Sequence, residues 1–150
     1  MALDVQVQTD LINHPYIVDG VPFVKRVTIK QDAGRSGAMV KGTIMAYDTA
    51  NKKYVPFSDA TATDGTQFPC AVLLEDQTEA AIKAGDIANV PMIVGGRGLV
   101  LNEDLLTWES STTKDDVITV PTNLKIAAWQ WLLQQGIVFV DTQEGTSYEA

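Results

Sequence analysis

The sequence predicts one β-rich α+β domain of antiparallel strands, with one main C-terminal helix and an extended N-terminal arm. Three observations support this fold class. Short β-prone runs separated by Asp, Asn and Gly fill the centre of the chain, one later stretch has helical periodicity, and the first residues alternate between apolar and polar. The 150 residues suffice for one core without disulfides. We therefore divide the chain into an arm, residues 1–16, and a single domain, residues 17–150.

The arm has the period of a strand with one buried face. Its apolar side carries Leu3, Val5, Val7, Thr9 and Leu11, with Asp and Gln residues between them. It is either an ordinary first strand of the domain's own sheet, or an arm that pairs with the sheet edge of another chain. We adopt the second interpretation, because terminal segments order poorly unless something holds them. The expected contacts are then this apolar side and Tyr16.

The domain begins with a turn at Asp19-Gly20, followed by a strand in which Phe23, Val27 and Ile29 share one side. A central hairpin follows. Residues 43–47 and 52–57 are its strands and residues 48–51 its turn, since Asp and Asn tolerate the left-handed backbone that a tight turn requires. Asp64-Gly65 then turns the chain into an apolar strand over residues 68–74.

The later chain predicts a helix over residues 124–135 that ends at Gly136. One stripe of this helix faces the core: Leu124, Ala127, Ala128, Trp131 and Leu132. Trp129 and Leu133 lie to the side of the stripe, so the helix is apolar over more of its circumference than one core requires. Either a second layer of the domain or a neighbouring subunit could cover them, and we favour an oligomer interface.

Several of these segments together resemble a known family. YDTANKKYVPF, ATDGTQ and a strand ending in LLEDQT are followed in order by VPMIVGGRGLVLNEDLLTW and NLKIAAWQWLLQQGIVFV. With IVDGVPFVKRVTIKQDAG upstream, they resemble the head decoration proteins of tailed phages, the family of the bacteriophage lambda capsid-stabilising protein. The resemblance covers about residues 17–140.

The resemblance implies a structural protein that has no cofactor and is not an enzyme. It would bind the outer surface of the expanded phage head as a homotrimer and stabilise it, with the major capsid protein as its partner. The protein would be made in the host cytoplasm. The arm residues become candidate capsid contacts.

Composition and charge limit the alternatives. Eleven basic and nineteen acidic residues give a net charge of −8, which argues against nucleic-acid binding because that affinity comes largely from Lys and Arg. No run has the length and apolarity of a membrane span. A local excess of +4 spans residues 25–41. It indicates either solvated hairpin edges or a basic face that meets an acidic partner.

Residues that carry chemistry are sparse. His14 is the only histidine and Cys70 the only cysteine, so the sequence predicts neither a disulfide nor a metal site. The GGRG segment at residues 95–98 lacks the spacing of a phosphate loop and indicates a bulge or a close backbone approach. Glu103 and Asp104 follow the helix-capping residue Asn102, as first-turn acids do, and are not a convergent catalytic pair.

A second class of function remains open, a β-rich module that binds a ligand or a glycan, as in adhesion. Its binding platform would combine four exposed aromatic residues, Trp108, Tyr47, Tyr54 and Trp129. Aromatic residues at strand and helix positions are more often part of a core or an interface.

Overall fold

The computed structural model describes residues 16–119, 121 and 124–140. The predicted strand of the arm, Leu3 to Leu11, lies outside these residues. The elements in chain order are β1 (Ile17–Ile29), β2 (Ile44–Asp48), β3 (Lys53–Pro56), β4 (Pro69–Leu73), α1 (Glu79–Ala84), β5 (Ile87–Asn102), a 3-10 turn (Glu103–Leu105), β6 (Val117–Ile118), β7 (Ile126–Ala127), α2 (Ala128–Leu133) and β8 (Ile137–Val140).

Five strands close into a small barrel. Their order is β1-β3-β2-β4-β5, and β5 returns to pair with β1 over most of its length, while β8 extends the sheet beyond β5. The predicted β-rich domain is confirmed. The prediction of an antiparallel sheet is wrong for two pairs, since β1 and β3 run parallel, as do β5 and β8. The strands β6 and β7 form a separate two-stranded sheet.

Strands β2 and β4 and the middle of β5 are buried on both faces. All five barrel strands contribute to one cluster inside the barrel, which includes Ile29, Met45, Leu73 and Met92, and Ile82 of α1 packs into it. A second cluster lies on the opposite face and joins the sheet to α2 and β6. We call it the outer cluster, and it contains Ile44, Val72, Ile93, Leu132 and Ile118. Adjacent residues such as Met92 and Ile93 lie in different clusters, because successive side chains of a strand point to opposite faces. The outer cluster positions α2 and β8 on the barrel.

The predicted central hairpin is confirmed, and its turn is held by one carboxylate. Asp48 accepts hydrogen bonds from the side chain of Asn51 at 2.7 Å and from the backbone N–H groups of Ala50 and Asn51 at 3.1 Å. Lys52 adopts a positive φ of 57° just before β3 begins. These bonds to Asn51, followed by Lys30, lower the pKa of Asp48 to about 2.

The predicted turn at Asp19-Gly20 is wrong, because β1 runs through it. Gly20 has a φ of +89° within the strand, and a Cβ there would overlap the carbonyl of Gly98 on β5. A register shift follows between Phe23 and Val24. This bulge moves Phe23 to the exposed face and lets Val24 pack on the outer cluster, so the predicted grouping of Phe23 with Val27 is also wrong.

The predicted long helix is wrong as well. Only six residues, Ala128–Leu133, are helical, which equals the length of α1, so there is no single main helix in the described chain. Residues 126 and 127 are extended because they pair with β6 as β7. The chain then turns at Gly136, whose φ is +84° and whose backbone lies against Gly96. The GGRG segment thus serves a close backbone approach, as predicted.

Candidate interaction surfaces

Tyr16 belongs to the core, which corrects its grouping with the expected contacts of the arm. Its side chain is 1% exposed, and its hydroxyl donates to the carbonyl oxygen of Leu73 at 3.2 Å. Its own carbonyl oxygen accepts from the backbone N–H of Asn102 at 2.7 Å. Burial, and secondarily the charge of Asp76, raises the pKa of Tyr16 well above its ordinary value. Tyr16 therefore anchors the chain at the point where residues 1–15 join the domain.

Both terminal segments join the domain at the same end of β5. Tyr16 is bonded to Asn102, and Val140 of β8 is in register with Asn102 on the other side of the strand. Tyr16 and Val140, which precede or follow the segments outside the described residues, therefore lie on the two sides of one strand end. The candidate arm contacts Leu3, Val5, Val7, Thr9 and Leu11 themselves lie outside the described residues.

Helix α2 presents an apolar surface beside the edge strand β8. Trp129 and Leu133 are 38% and 47% exposed, and Val138 of β8 is exposed next to them. These three residues line a groove of about 310 Å³ together with Ile137, Phe139 and the ion-paired Glu103 and Lys114. We call it the α2–β8 groove. No described part of this chain covers it, and β8 pairs with a strand on one side only.

The opposite side of α2 holds the helix on the domain. Ala128 and Leu132 are fully buried in the outer cluster. Trp131 is half-buried and stacks on Phe68, with ring centroids 4.3 Å apart. The sequence stripe therefore identified the buried side of α2 correctly, and it correctly left Trp129 and Leu133 outside it.

Strand β1 adds an exposed apolar strip that the sequence analysis missed. Val18, Val21 and Phe23 are each about half exposed, with values of 56%, 57% and 49%. Opposite this part of β1, residues 95–98 of β5 are mostly glycine, so few side chains screen the strip. The alternation rule grouped Phe23 with Val27 and Ile29 on one side of the strand. The only sequence signal for an irregular register was the presence of glycine in both strands, Gly20 in β1 and residues 95, 96 and 98 in β5.

The aromatic residues of the alternative platform do not meet. Trp108 packs edge-to-face against Phe57 and Phe139, with centroids 5.9 and 6.0 Å apart. Tyr47 and Tyr54 pair with each other on β2 and β3 at 5.1 Å, and Trp129 lies in the α2–β8 groove. A glycan-binding platform built from all four therefore has no support in the described part of the chain.

Two cations of the basic segment act inside the domain. Lys30 pairs with Asp48 at 3.3 Å. Arg35 makes a bidentate ion pair with Glu109, in which Nη1 of Arg35 donates to Oε2 of Glu109 at 2.6 Å. Its planar fork matches the carboxylate and fastens the loop after β1 to the segment after β5. The interpretation of residues 25–41 as one basic face is therefore too simple.

Within residues 16–119, 121 and 124–140, no group of three or more His, Cys, Asp or Glu side chains could hold a metal ion. Over the same residues, no helix has the length and apolarity to cross a membrane. Burial raises the pKa of the Cys70 thiol to about 12, so Cys70 is not a thiolate nucleophile at neutral pH. Asn102 accepts a hydrogen bond from the backbone of Asp104 and caps the 3-10 turn, as predicted.

Comparisons with known proteins identify a family for this chain. No curated protein matches the chain. The model of the family described as bacteriophage lambda head decoration protein D matches residues 23–125, from within β1, through the closed barrel, to the residue before β7. That family consists of structural proteins of the phage capsid and not of enzymes. Since the match covers more than half of the sequence, the chain belongs to the bacteriophage lambda head decoration protein D family.

Proposed function

We propose that the protein is a capsid cement protein that binds the outer surface of the expanded phage head as a homotrimer and stabilises it. Membership of the head decoration family supports an association with the phage capsid and a location on the virion. The exposed apolar surface of α2 supports the oligomer, and the alternation of the arm supports its role in attachment. The main capsid partner is the major capsid protein.

The observation that carries the proposal is the α2–β8 groove. Trp129, Leu133 and Val138 form an apolar surface next to a strand whose outer edge has no partner within the described chain. Trp is enriched at the centre of protein interfaces, where it contributes large apolar area. A closed ring of three copies would bury this surface on every copy without leaving one free.

Attachment to the head would use the arm. Its apolar side, Leu3, Val5, Val7, Thr9 and Leu11, needs a neighbour that supplies backbone hydrogen bonds and an apolar surface, and a sheet edge of the capsid protein offers both. Ordering a residue costs about 1 to 2 kcal/mol of backbone entropy, so a single arm binds weakly. In a trimer, the first bound arm keeps the other two near their sites, which adds avidity without new contacts.

The buried Tyr16 makes this mechanism more specific. Because Tyr16 is fixed in the core, the point at which the arm leaves the domain is fixed on the body at one end of β5. A fixed starting point shortens the effective linker between three arms and so raises their effective concentration. No catalytic step and no nucleic-acid contact are part of the proposed function.

The test combines two measurements on the purified full chain. Light scattering should give three times the 16.3 kDa chain mass, and the protein should co-sediment with expanded heads and raise their resistance to heat. A strictly monomeric mass at high concentration, with monomers also on the heads, would contradict the trimer. Co-sedimentation that does not raise the disruption temperature of the heads would contradict the cement role.

A further inference from the structure

A groove lies at the seam where the barrel closes. Strands β1 and β3 meet through one registered pair, Ile29 with Tyr54, and β3 begins only at Lys53. Residues 25–27 of β1 therefore precede β3, and no described strand lies beside them on that edge. A groove of about 380 Å³ fills this place, between β1, the turn at Lys52 and the paired rings of Tyr47 and Tyr54. We call it the seam groove.

The seam groove is positively charged, although the protein as a whole is acidic. Lys25, Arg26 and Lys52 line it, and no carboxylate does. Elsewhere in the described chain, five cations are engaged in ion pairs with carboxylates: Lys30, Arg35, Lys53, Lys83 and Lys114. None of the ion pairs found among the described residues involves the three cations of the groove. Their concentration in one place, in a protein of net charge −8, indicates an acidic binding partner.

Hydrogen bonds hold the backbone of Lys52 and the guanidinium of Arg26. The N–H of Lys52 donates to the carbonyl oxygen of Asp48 at 2.8 Å, in the turn that the Asp48 carboxylate holds. The Arg26 guanidinium donates to the carbonyl oxygen of Asn89 at 3.0 Å. An extended segment that entered the groove would meet these cations and the adjoining edge of β1, which favours binding as an added strand.

We propose that the seam groove binds the acidic segment of residues 141–150 from a second copy of the chain. This segment, DTQEGTSYEA, contains Asp141, Glu144 and Glu149 and no basic residue. It therefore complements the three cations of the groove in sign and in number. The inference rests on the proposed self-association of the protein.

Chain length argues against the same copy as the source. Arg26 in the groove is in register with Pro91, whereas Val140 is in register with Asn102, eleven residues further along β5. At ~3.3 Å per residue, the two points lie about 36 Å apart along the strand. Glu144 is four residues beyond Val140 and extends at most ~14 Å from it. The first two acids of the segment therefore reach a seam groove only on another copy.

Isotope-mixed cross-linking of the full chain tests this inference. Unlabelled and nitrogen-15-labelled proteins are mixed, treated with a carbodiimide that joins amines to carboxylates in contact, and digested for mass spectrometry. We expect mixed-label cross-links between Lys25 or Lys52 and Asp141, Glu144 or Glu149. Lys41 and Lys125, which lie outside the groove, serve as controls and should give few such links. Absence of groove links, or links within one label only, would overturn the inference.

A matched pair of variants tests whether the positive charge at position 25 is needed for the cross-links of Lys52. Lys25→Arg keeps the charge, so the yield of Lys52 links should not change, whereas Lys25→Glu should lower it about fivefold, the effect of roughly one exposed ion pair. Equal yields in the two variants would overturn the inference. Light scattering at high salt is recorded on the same samples. A trimer that persists without groove links refutes this inference alone, while groove links without a trimer refute the proposed homotrimer.

Discussion

The two sides of α2 have similar composition and opposite surroundings. Ala128 and Leu132 face the outer cluster and are fully buried, whereas Trp129 and Leu133 face away and are exposed. Leu132 and Leu133 are neighbours in sequence and differ only in the direction in which they leave a six-residue helix. The comparison shows that one apolar helix can serve the fold with one side and remain available for assembly with the other.

The largest expected effect comes from this leucine pair. Leu132→Ala should lower the free energy of unfolding by roughly 2 to 5 kcal/mol, because it leaves a cavity in the outer cluster. Leu133→Ala removes the same atoms from an exposed site and should change stability by within roughly 0.5 kcal/mol. Urea denaturation measures both. If the two variants lose equal stability while assembly is unchanged, the two sides of α2 have been assigned to the wrong roles.

The alanine variants of Trp131 and Trp129 should also differ in their free energy of unfolding, by less than the leucine variants do. Trp131→Ala removes the stack on Phe68 and should destabilise the domain by roughly 3 kcal/mol, the lower end for buried aromatic residues, because Trp131 is only half-buried. Trp129→Ala should reduce stability less and weaken the oligomer more. Thermal unfolding and light scattering of both variants make the comparison. A Trp129→Ala protein with unchanged oligomer mass over a dilution series would remove the α2–β8 groove from the interface.

A third comparison is between deletion of the arm alone and deletion of the arm together with Tyr16. Deletion of residues 2–15 should leave the unfolding free energy and the oligomer mass unchanged but abolish co-sedimentation with expanded heads at low protein concentration. Extending the deletion to Tyr16 should in addition cost roughly 2 kcal/mol or more, because it removes a buried ring and its hydrogen bond to Leu73.

Point substitutions refine the comparison of arm and anchor. Val5→Asp or Val7→Asp should weaken head binding, and Gln6→Asp on the other side of the arm should weaken it less. Head binding by the 2–15 deletion that equals the binding of the full chain would show that the arm is not the attachment.

The smallest expected effect concerns the turn of the central hairpin. The pKa of Asp48 is lowered to about 2 by its bonds to Asn51 and to Lys30, so its folded pKa lies below its unfolded pKa of about 4. Its contribution is therefore fully present above pH ~4 and is lost as the pH falls through about 2. Asp48→Asn should flatten the decline of the melting temperature between pH ~4 and ~2. An identical pH profile for the two proteins would show that Asp48 does not stabilise the turn through its charge.

Local chemistry determined the parts of the molecule that could be predicted. The turn at residues 48–51 and the buried stripe of α2 depend on residues near each other in sequence, so turn preference and periodicity are sufficient to identify them. The GGRG glycines indicated a close backbone approach by composition alone, and only the structure identified Gly20 and Gly136 as the partners. The ordered segments between residues 17 and 140 likewise sufficed to identify the head decoration family, which the family match confirmed.

Pairing between distant segments decided the rest. The bulge that exposes Phe23 depends on the register of β1 against β5, and the short α2 depends on the pairing of residues 126–127 with β6. Tyr16 is buried because its hydroxyl reaches Leu73, a residue 57 positions away. The seam groove exists because β3 begins too late to cover β1. A periodic pattern does not record which partner a strand meets, or where that partner starts, so these features required the tertiary structure.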